Sequence, residues 1–195
     1  AKELLSSGCS GLAPFGTTGE ALSISAEERR LGLDRLIASG IDPAVVIPGT
    51  GLCNLPESVA LSQQAVDLGC KGVLVLPPFY FKGVSDEGLL CFYDEFIDRV
   101  NRPNLRIYLY HIPQVSGVAL SISLVNTLRK RYPSVVVGIK DSSGNWDNTN
   151  SLLAMDDFIV YPGSELPLVD AMKLRAPGCI LSLIHISEPT RLDDI

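Results

Sequence analysis

Ser134-Val135-Val136-Val137-Gly138-Ile139-Lys140-Asp141 is the stretch on which the fold turns. Its apolar residues fall on both faces of an extended chain, which suits a parallel strand covered by helices rather than a half-wet antiparallel one. Runs of the same kind stand on either side, at 11–15, 44–48, 72–76, 106–110 and 158–161, and with 135–140 they recur every 23 to 34 residues, the length of one βα unit. The stretches between them carry helix punctuation. Ser25 precedes Ala26-Glu27-Glu28 as a capping box, Pro56-Glu57 suits a first helical turn, and Ser85 and Ser121 are further N-caps. Gly40, Gly69 and Gly178 stand where helices should stop, and Lys2–Ser7 reads as a helix tail ended by Gly8. Six strands in βα register suit an α/β fold, either a (β/α)8 TIM barrel or a doubly wound sheet. No Gly-x-Gly-x-x-Gly follows the first strand, which favours the barrel.

The chain has 195 residues, 46% of them hydrophobic, so a large core is available and disorder is excluded. Acidic residues outnumber basic ones, 22 to 16, and Arg129-Lys130-Arg131 is the longest basic run, so no nucleic-acid partner is expected. No apolar run reaches the roughly 18 to 20 residues of a membrane helix. Two histidines and five scattered cysteines without a C-x-x-C pair favour neither a metal centre nor a disulfide framework, and point to free thiols in the cytoplasm. A barrel needs about 250 residues. The shortfall predicts a TIM barrel truncated at both ends, with the first strand and the native last strand missing. Residues 1–180 are then a partial barrel catalytic domain. Residues 181–195, from Leu181-Ser182-Leu183-Ile184-His185-Ile186-Ser187-Glu188-Pro189, resemble the translation of a sequencing adapter and are expected to be non-native; the alternative is a genuine final strand.

Parallel βα folds collect their chemistry at the C-terminal ends of the strands. After the first strand comes Gly16-Thr17-Thr18-Gly19-Glu20, a turn whose backbone N–H groups and hydroxyls would cradle a carboxylate, or else a tight turn with a Thr cap. The second strand leads into Gly49-Thr50-Gly51 and the third into Pro77-Pro78-Phe79-Tyr80-Phe81. Tyr110 ends the fourth strand and Lys140 the fifth. A lysine closing a Val/Ile run either snorkels and pairs with Asp141 or is desolvated into a nucleophilic amine. Strands lie about 4.8 Å apart, so the Tyr110 phenol and the Lys140 amine can meet over one substrate. By alternation Tyr108 and Tyr110 share a face, as do Gly138 and Lys140, with Gly138 leaving space inside the barrel. An amine, a phenol and a carboxylate cradle are what a Schiff-base reaction on a 2-keto acid requires.

These segments, with Tyr110-His111-Ile112-Pro113, Gly138-Ile139-Lys140-Asp141 and Gly163-Ser164-Glu165, resemble in order those of the dihydrodipicolinate synthase / N-acetylneuraminate lyase family of class I aldolases. The resemblance runs from residue 1 to about 180. It implies a barrel in which Lys140 forms the Schiff base with pyruvate or a related 2-keto acid. Tyr110 and Thr17 would relay protons, Gly16 and Thr18 would hold the carboxylate, and Gly163 would line the substrate pocket. Tyr80 would be the relay tyrosine that reaches into a neighbouring subunit, in a homo-oligomer built as a dimer of dimers. No cofactor and no metal is implied. The family's synthases carry an arginine where Val115 stands and an asparagine where His111 stands, which favours the lyase and sugar-acid aldolase branches and gives His111 a loop-supporting role.

The expectation is therefore a Schiff-base lyase or aldolase using a 2-keto acid and an aldehyde, with a 4-hydroxy-tetrahydrodipicolinate synthase, a keto-deoxy sugar acid dehydratase and a non-catalytic 2-keto-acid-binding barrel as alternatives. A phosphate-binding isomerase barrel lacks its Gly-rich loop here. With two open edges, the 195-residue chain alone is expected to be inactive and poorly soluble.

Overall fold

The computed structural model describes residues 1–181, so the stretch expected to be adapter-derived, 181–195, lies outside the described residues except for Leu181, and His185 lies outside with it. The elements run α1 (Lys2–Ser6), α2 (Ala26–Ala38), α3 (Leu55–Asp67), β1 (Val73–Val75), α4 (Asp86–Val100), β2 (Ile107–His111), α5 (Pro113–Ser116), α6 (Ile122–Arg131), β3 (Val136–Asp141), α7 (Trp146–Leu153), β4 (Ile159–Pro162) and α8 (Leu168–Lys173). The four strands form one parallel sheet in sequential order, β1-β2-β3-β4.

Two further segments extend this order beyond β1. Leu12 bridges Val46 in parallel, and Gly49 bridges Leu74. The strands expected at 11–15 and 44–48 thus occupy their barrel places but reduce to isolated bridges. Pro14 and Pro48 have no N–H to donate. A 3-10 turn at Pro43–Val45 also draws the Val46 N–H to Pro43 O. What remains is Leu12 N–H to Val45 O, Ile47 N–H to Leu12 O and Gly49 N–H to Pro14 O, at 2.8 to 2.9 Å.

The helix boundaries follow the sequence signals. Ser25 and Glu28 make a full capping box at the start of α2, and Asn54, Ser85 and Ser121 cap α3, α4 and α6. Gly40 and Gly69 take φ of +92° and +83° just past α2 and α3. Gly178 does not stop a helix: α8 ends at Lys173, and Arg175 takes the left-handed conformation first.

Two apolar layers hold the sheet. The outer one packs strand residues such as Val75, Ile107, Leu109, Val136 and Ile139 against the helices. The inner one is Ile47, Leu74, Tyr108, Tyr110 and Ile112, joined by Leu76, Val137, Ile159 and Tyr161. Tyr108, Tyr110 and Ile112 point inward at every second position, as the pleat requires. Gly138 does leave space, and the Tyr108 ring takes it: a Cβ at Gly138 would stand 2.9 Å from Tyr108 Cδ1, and one at Gly72 2.9 Å from Tyr108 Cε2.

The register between β2 and β3 slips by one residue. Ile107 pairs with Val136, but Tyr108 pairs with Gly138, and Val137 is passed over. Without the slip Tyr110 would face Ile139 and Lys140 would lie on the helix side. With it, Tyr110 pairs with Lys140 and both side chains face the barrel interior.

Candidate active site

Tyr110, Lys140 and Thr17 meet at the C-terminal ends of the strands. Lys140 Nζ donates to Tyr110 Oη at 3.3 Å and lies 4.5 Å from the centroid of the same ring. Tyr110 Oη and Thr17 Oγ1 are 3.2 Å apart, which completes a chain of amine, phenol and hydroxyl. Tyr110 is buried and Lys140 half-buried. Pairing of Lys140 with Asp141 does not occur. Asp141 faces the helices and accepts from Ser143 N–H, Asn148 Nδ2 and Thr149 Oγ1 at 2.7 to 3.0 Å.

The Gly16–Glu20 loop is held under backbone strain. Phe15 and Glu20, on either side of it, take positive φ of 60° and 51°, unusual for residues with a Cβ. The Phe15 carbonyl comes so close to Gly49 that no side chain would fit there, and its ring abuts Gly32 of α2. Among the described residues, the backbone N–H groups of Thr17, Thr18 and Gly19 donate to no protein acceptor. All three residues are solvent-exposed.

Gly163 stands just past β4 and donates to Asp141 O at 2.7 Å. A side chain there would collide with Ser142, so only glycine lets the β3 and β4 ends close together. Tyr80 is not brought to this centre. It is 75% exposed, its ring meets Phe81 edge-on at 5.1 Å, and no hydrogen bond joins it to Thr17 or Tyr110. His111 is buried on the helix side of β2, and its Nδ1 accepts Leu120 N–H at 3.1 Å. Burial pushes its imidazole below the ordinary value of 6.5, with Asp141 pulling in the other direction.

Two contributors were not read from the sequence. Arg29 of α2 is buried, and its Nε and Nη2 donate to the Ala21 carbonyl at 3.0 and 2.5 Å. Ala21 N–H in turn reaches Gly16 O at 3.3 Å, so α2 anchors the loop directly. Burial lowers the pKa of the Arg29 guanidinium, against the opposing field of Glu57. Its i, i+4 spacing from the buried Leu33 was the available signal. Tyr161 pairs with Lys140 from β4 and packs 5.9 Å from the Tyr108 ring. Burial raises the pKa of both phenols. Among the described residues no group of three or more His, Cys, Asp or Glu side chains converges as a metal site, and no helix is long and apolar enough to cross a membrane.

A cavity of about 240 Å³ opens beside Thr17 and Tyr110, between the Ala21–Ser23 turn and the Ile112–Ser116 segment.

Comparison with known proteins finds relatives of the same fold. An uncharacterized DapA-like lyase of Chloroflexus aurantiacus is 35% identical over 181 residues, which are 92% of this chain and 60% of that protein. The crystal structure of a dihydrodipicolinate synthase from Agrobacterium tumefaciens superposes with a TM-score of 0.90 at 36% identity, over 93% of this chain and 63% of that one. YagE, a prophage protein of E. coli K12 solved in complex with pyruvate, superposes with a TM-score of 0.83 at 30% identity, over 93% and 61%. The chain thus spans about 60% of the length of the relatives it matches, and its parallel sheet is the corresponding part of their TIM barrel. The sequence model of the dihydrodipicolinate synthetase family matches residues 1–195, and the chain belongs to that family.

Proposed function

We propose that the chain carries the catalytic end of a Schiff-base-forming lyase or aldolase acting on pyruvate or a related 2-keto acid. The observation that carries this reading is the hydrogen-bonded chain Lys140–Tyr110–Thr17, at 3.3 and 3.2 Å, beside a loop with open N–H groups. The keto acid carboxylate would rest on Thr17, Thr18 and the Gly16 turn. The amine form of Lys140 attacks the keto carbon. Tyr110, backed by Thr17, passes protons to and from the carbinolamine oxygen as it leaves as water. The resulting iminium draws electrons from the neighbouring carbon-carbon bond, so that bond breaks to an enamine, or forms from it in reverse. Gly163 would border the substrate, and Tyr80 would serve the site of a neighbouring copy in a dimer of dimers. The protein would be cytoplasmic, with residues 1–180 as its barrel portion.

Several relatives are named as synthases. Val115, 61% exposed at the cavity mouth, offers no bidentate grip on a second carboxylate, which favours the lyase reading. The test is borohydride reduction with pyruvate in full-length protein carrying this chain, followed by peptide mass spectrometry. The pyruvate adduct is expected on Lys140, none in Lys140→Ala, and turnover about 100-fold or more lower in Tyr110→Phe. Failure to trap any adduct at Lys140, under conditions that label a control aldolase, refutes the assignment.

A further inference from the structure

Lys140 and its neighbour Asp141 cannot share a face of β3, so one must turn into the barrel and the other toward the helices. The valines before them are apolar on both faces and do not decide which. At the catalytic end of the strand the two side chains are held unequally. Among the described residues Lys140 makes one inward hydrogen bond, to Tyr110 Oη at 3.3 Å, and is only half-buried. Asp141 is 3% exposed, and its carboxylate takes three bonds on the helix side. Ser143 N–H donates to Oδ1 at 3.0 Å, and Asn148 Nδ2 and Thr149 Oγ1 donate to Oδ2 at 3.0 and 2.7 Å. Asn148 and Thr149 lie at the start of α7, whose N-cap is Asn145, and Thr149 is itself buried.

The backbone ties down the same point. Asp141 O accepts Gly163 N–H at 2.7 Å, and Ser142 N–H donates to His111 O at 2.8 Å. A one-residue slip of β3 would turn Lys140 outward and carry the carboxylate into the inner layer of Tyr110, Ile112 and Tyr161, away from its three donors. A buried carboxylate stripped of its partners costs far more than one long amine–phenol bond. The choice of face therefore rests on Asp141 rather than on Lys140.

We propose that Asp141 is the positioning residue of the reacting amine: its seat on α7 locks the β3 register and so holds Lys140 on the inner face, within reach of Tyr110. Asp141 makes no bond to the amine and acts only through the strand. The proposal rests on the Schiff-base reading above, because the placement of Lys140 matters to turnover only if Lys140 reacts.

The experiment measures borohydride trapping at Lys140 as a function of pyruvate concentration, by peptide mass spectrometry, in full-length protein carrying this chain. Asp141→Ala, Asp141→Asn and Thr149→Val are compared with the parent, each well below its own melting midpoint. Asp141→Ala is expected to slow trapping at saturating pyruvate about 10- to 100-fold, the effect of a reacting group displaced by an ångström or so. The pyruvate concentration at half-maximal rate should move less than about threefold, because the turn at 16–18 is untouched. Asp141→Asn keeps an acceptor in the seat and should restore the rate to within about threefold of the parent. Thr149→Val removes one donor and should slow trapping by about threefold or more, which keeps the test decisive if Asp141→Ala does not fold. Parent-like trapping in folded Asp141→Ala or in Thr149→Val overturns the proposal, as does Asp141→Asn proving as slow as Asp141→Ala. A lowered melting temperature with an unchanged trapping rate would make Asp141 structural only, and overturns it too. Absence of any adduct in the parent protein sinks the Schiff-base reading itself, whereas an adduct indifferent to Asp141 sinks only its positioning role.

Discussion

At the residue scale, two side chains that are neighbours in sequence have opposite surroundings. Tyr110 looks into the barrel toward Lys140, while His111 looks out toward the helices and accepts the Leu120 N–H through Nδ1. That bond exists only while Nδ1 is unprotonated. Because burial holds the folded imidazole below 6.5, the unfolded chain takes up its proton first as the pH falls. Stability contributed by neutral His111 is therefore complete above about pH 6.5 and is lost on acidification from there toward the folded value. The melting temperature should drop between pH 7.5 and pH 5, and His111→Asn should flatten that drop without altering the inward face of β2. Thermal melts across this range decide it; an equal slope in the variant would remove His111 as the cause. The Tyr110–Lys140 contact was legible in the sequence, because both residues close apolar strands in consecutive βα units. Arg29 was harder to read: in Glu27-Glu28-Arg29-Arg30 only its i, i+4 spacing from Leu33 distinguishes it from Arg30, and it is the packing of helix α2 that buries the one and leaves the other exposed.

At the element scale, α2 carries more than its place in the outer layer. Its capping box is complete, with Glu28 N–H on Ser25 Oγ at 3.2 Å and Ser25 N–H on the Glu28 carboxylate at 2.8 Å. One turn later Arg29 grips Ala21. Ser25→Ala should cost about 1 kcal/mol in urea denaturation, and a loss under a few tenths would show that the cap is redundant. The helix starts were readable because caps are local chemistry. Strand pairing was less so. Val135-Val136-Val137 is apolar throughout, so nothing in its composition marks Val137 as the residue passed over, and the slip emerges only when β3 is laid against β2. The prolines at 14 and 48 were visible, yet their effect depends on which N–H groups the neighbouring segment needs.

At the scale of the whole molecule, the proposed catalytic chain draws on three places of unequal security. Lys140 and Tyr110 stand on β3 and β2, paired through five positions, while Thr17 follows a segment joined to the sheet by an isolated bridge and a few backbone bonds, with Arg29 of α2 as its side-chain anchor. Local opening free energies follow such differences, with sparsely paired segments opening well below the global value. In full-length protein carrying this chain, turnover should decline several degrees below the circular dichroism midpoint, and amides near Leu12 should exchange faster than those of β2. Coincident loss of activity and ellipticity would show the segment to be as firmly held as the sheet. An enzyme wired through its loosest seam would fall silent on warming while its ellipticity still reported a native barrel, so the temperature it tolerates in use would be set by the few bonds around Leu12 and Pro14 and the Arg29 anchor rather than by its core.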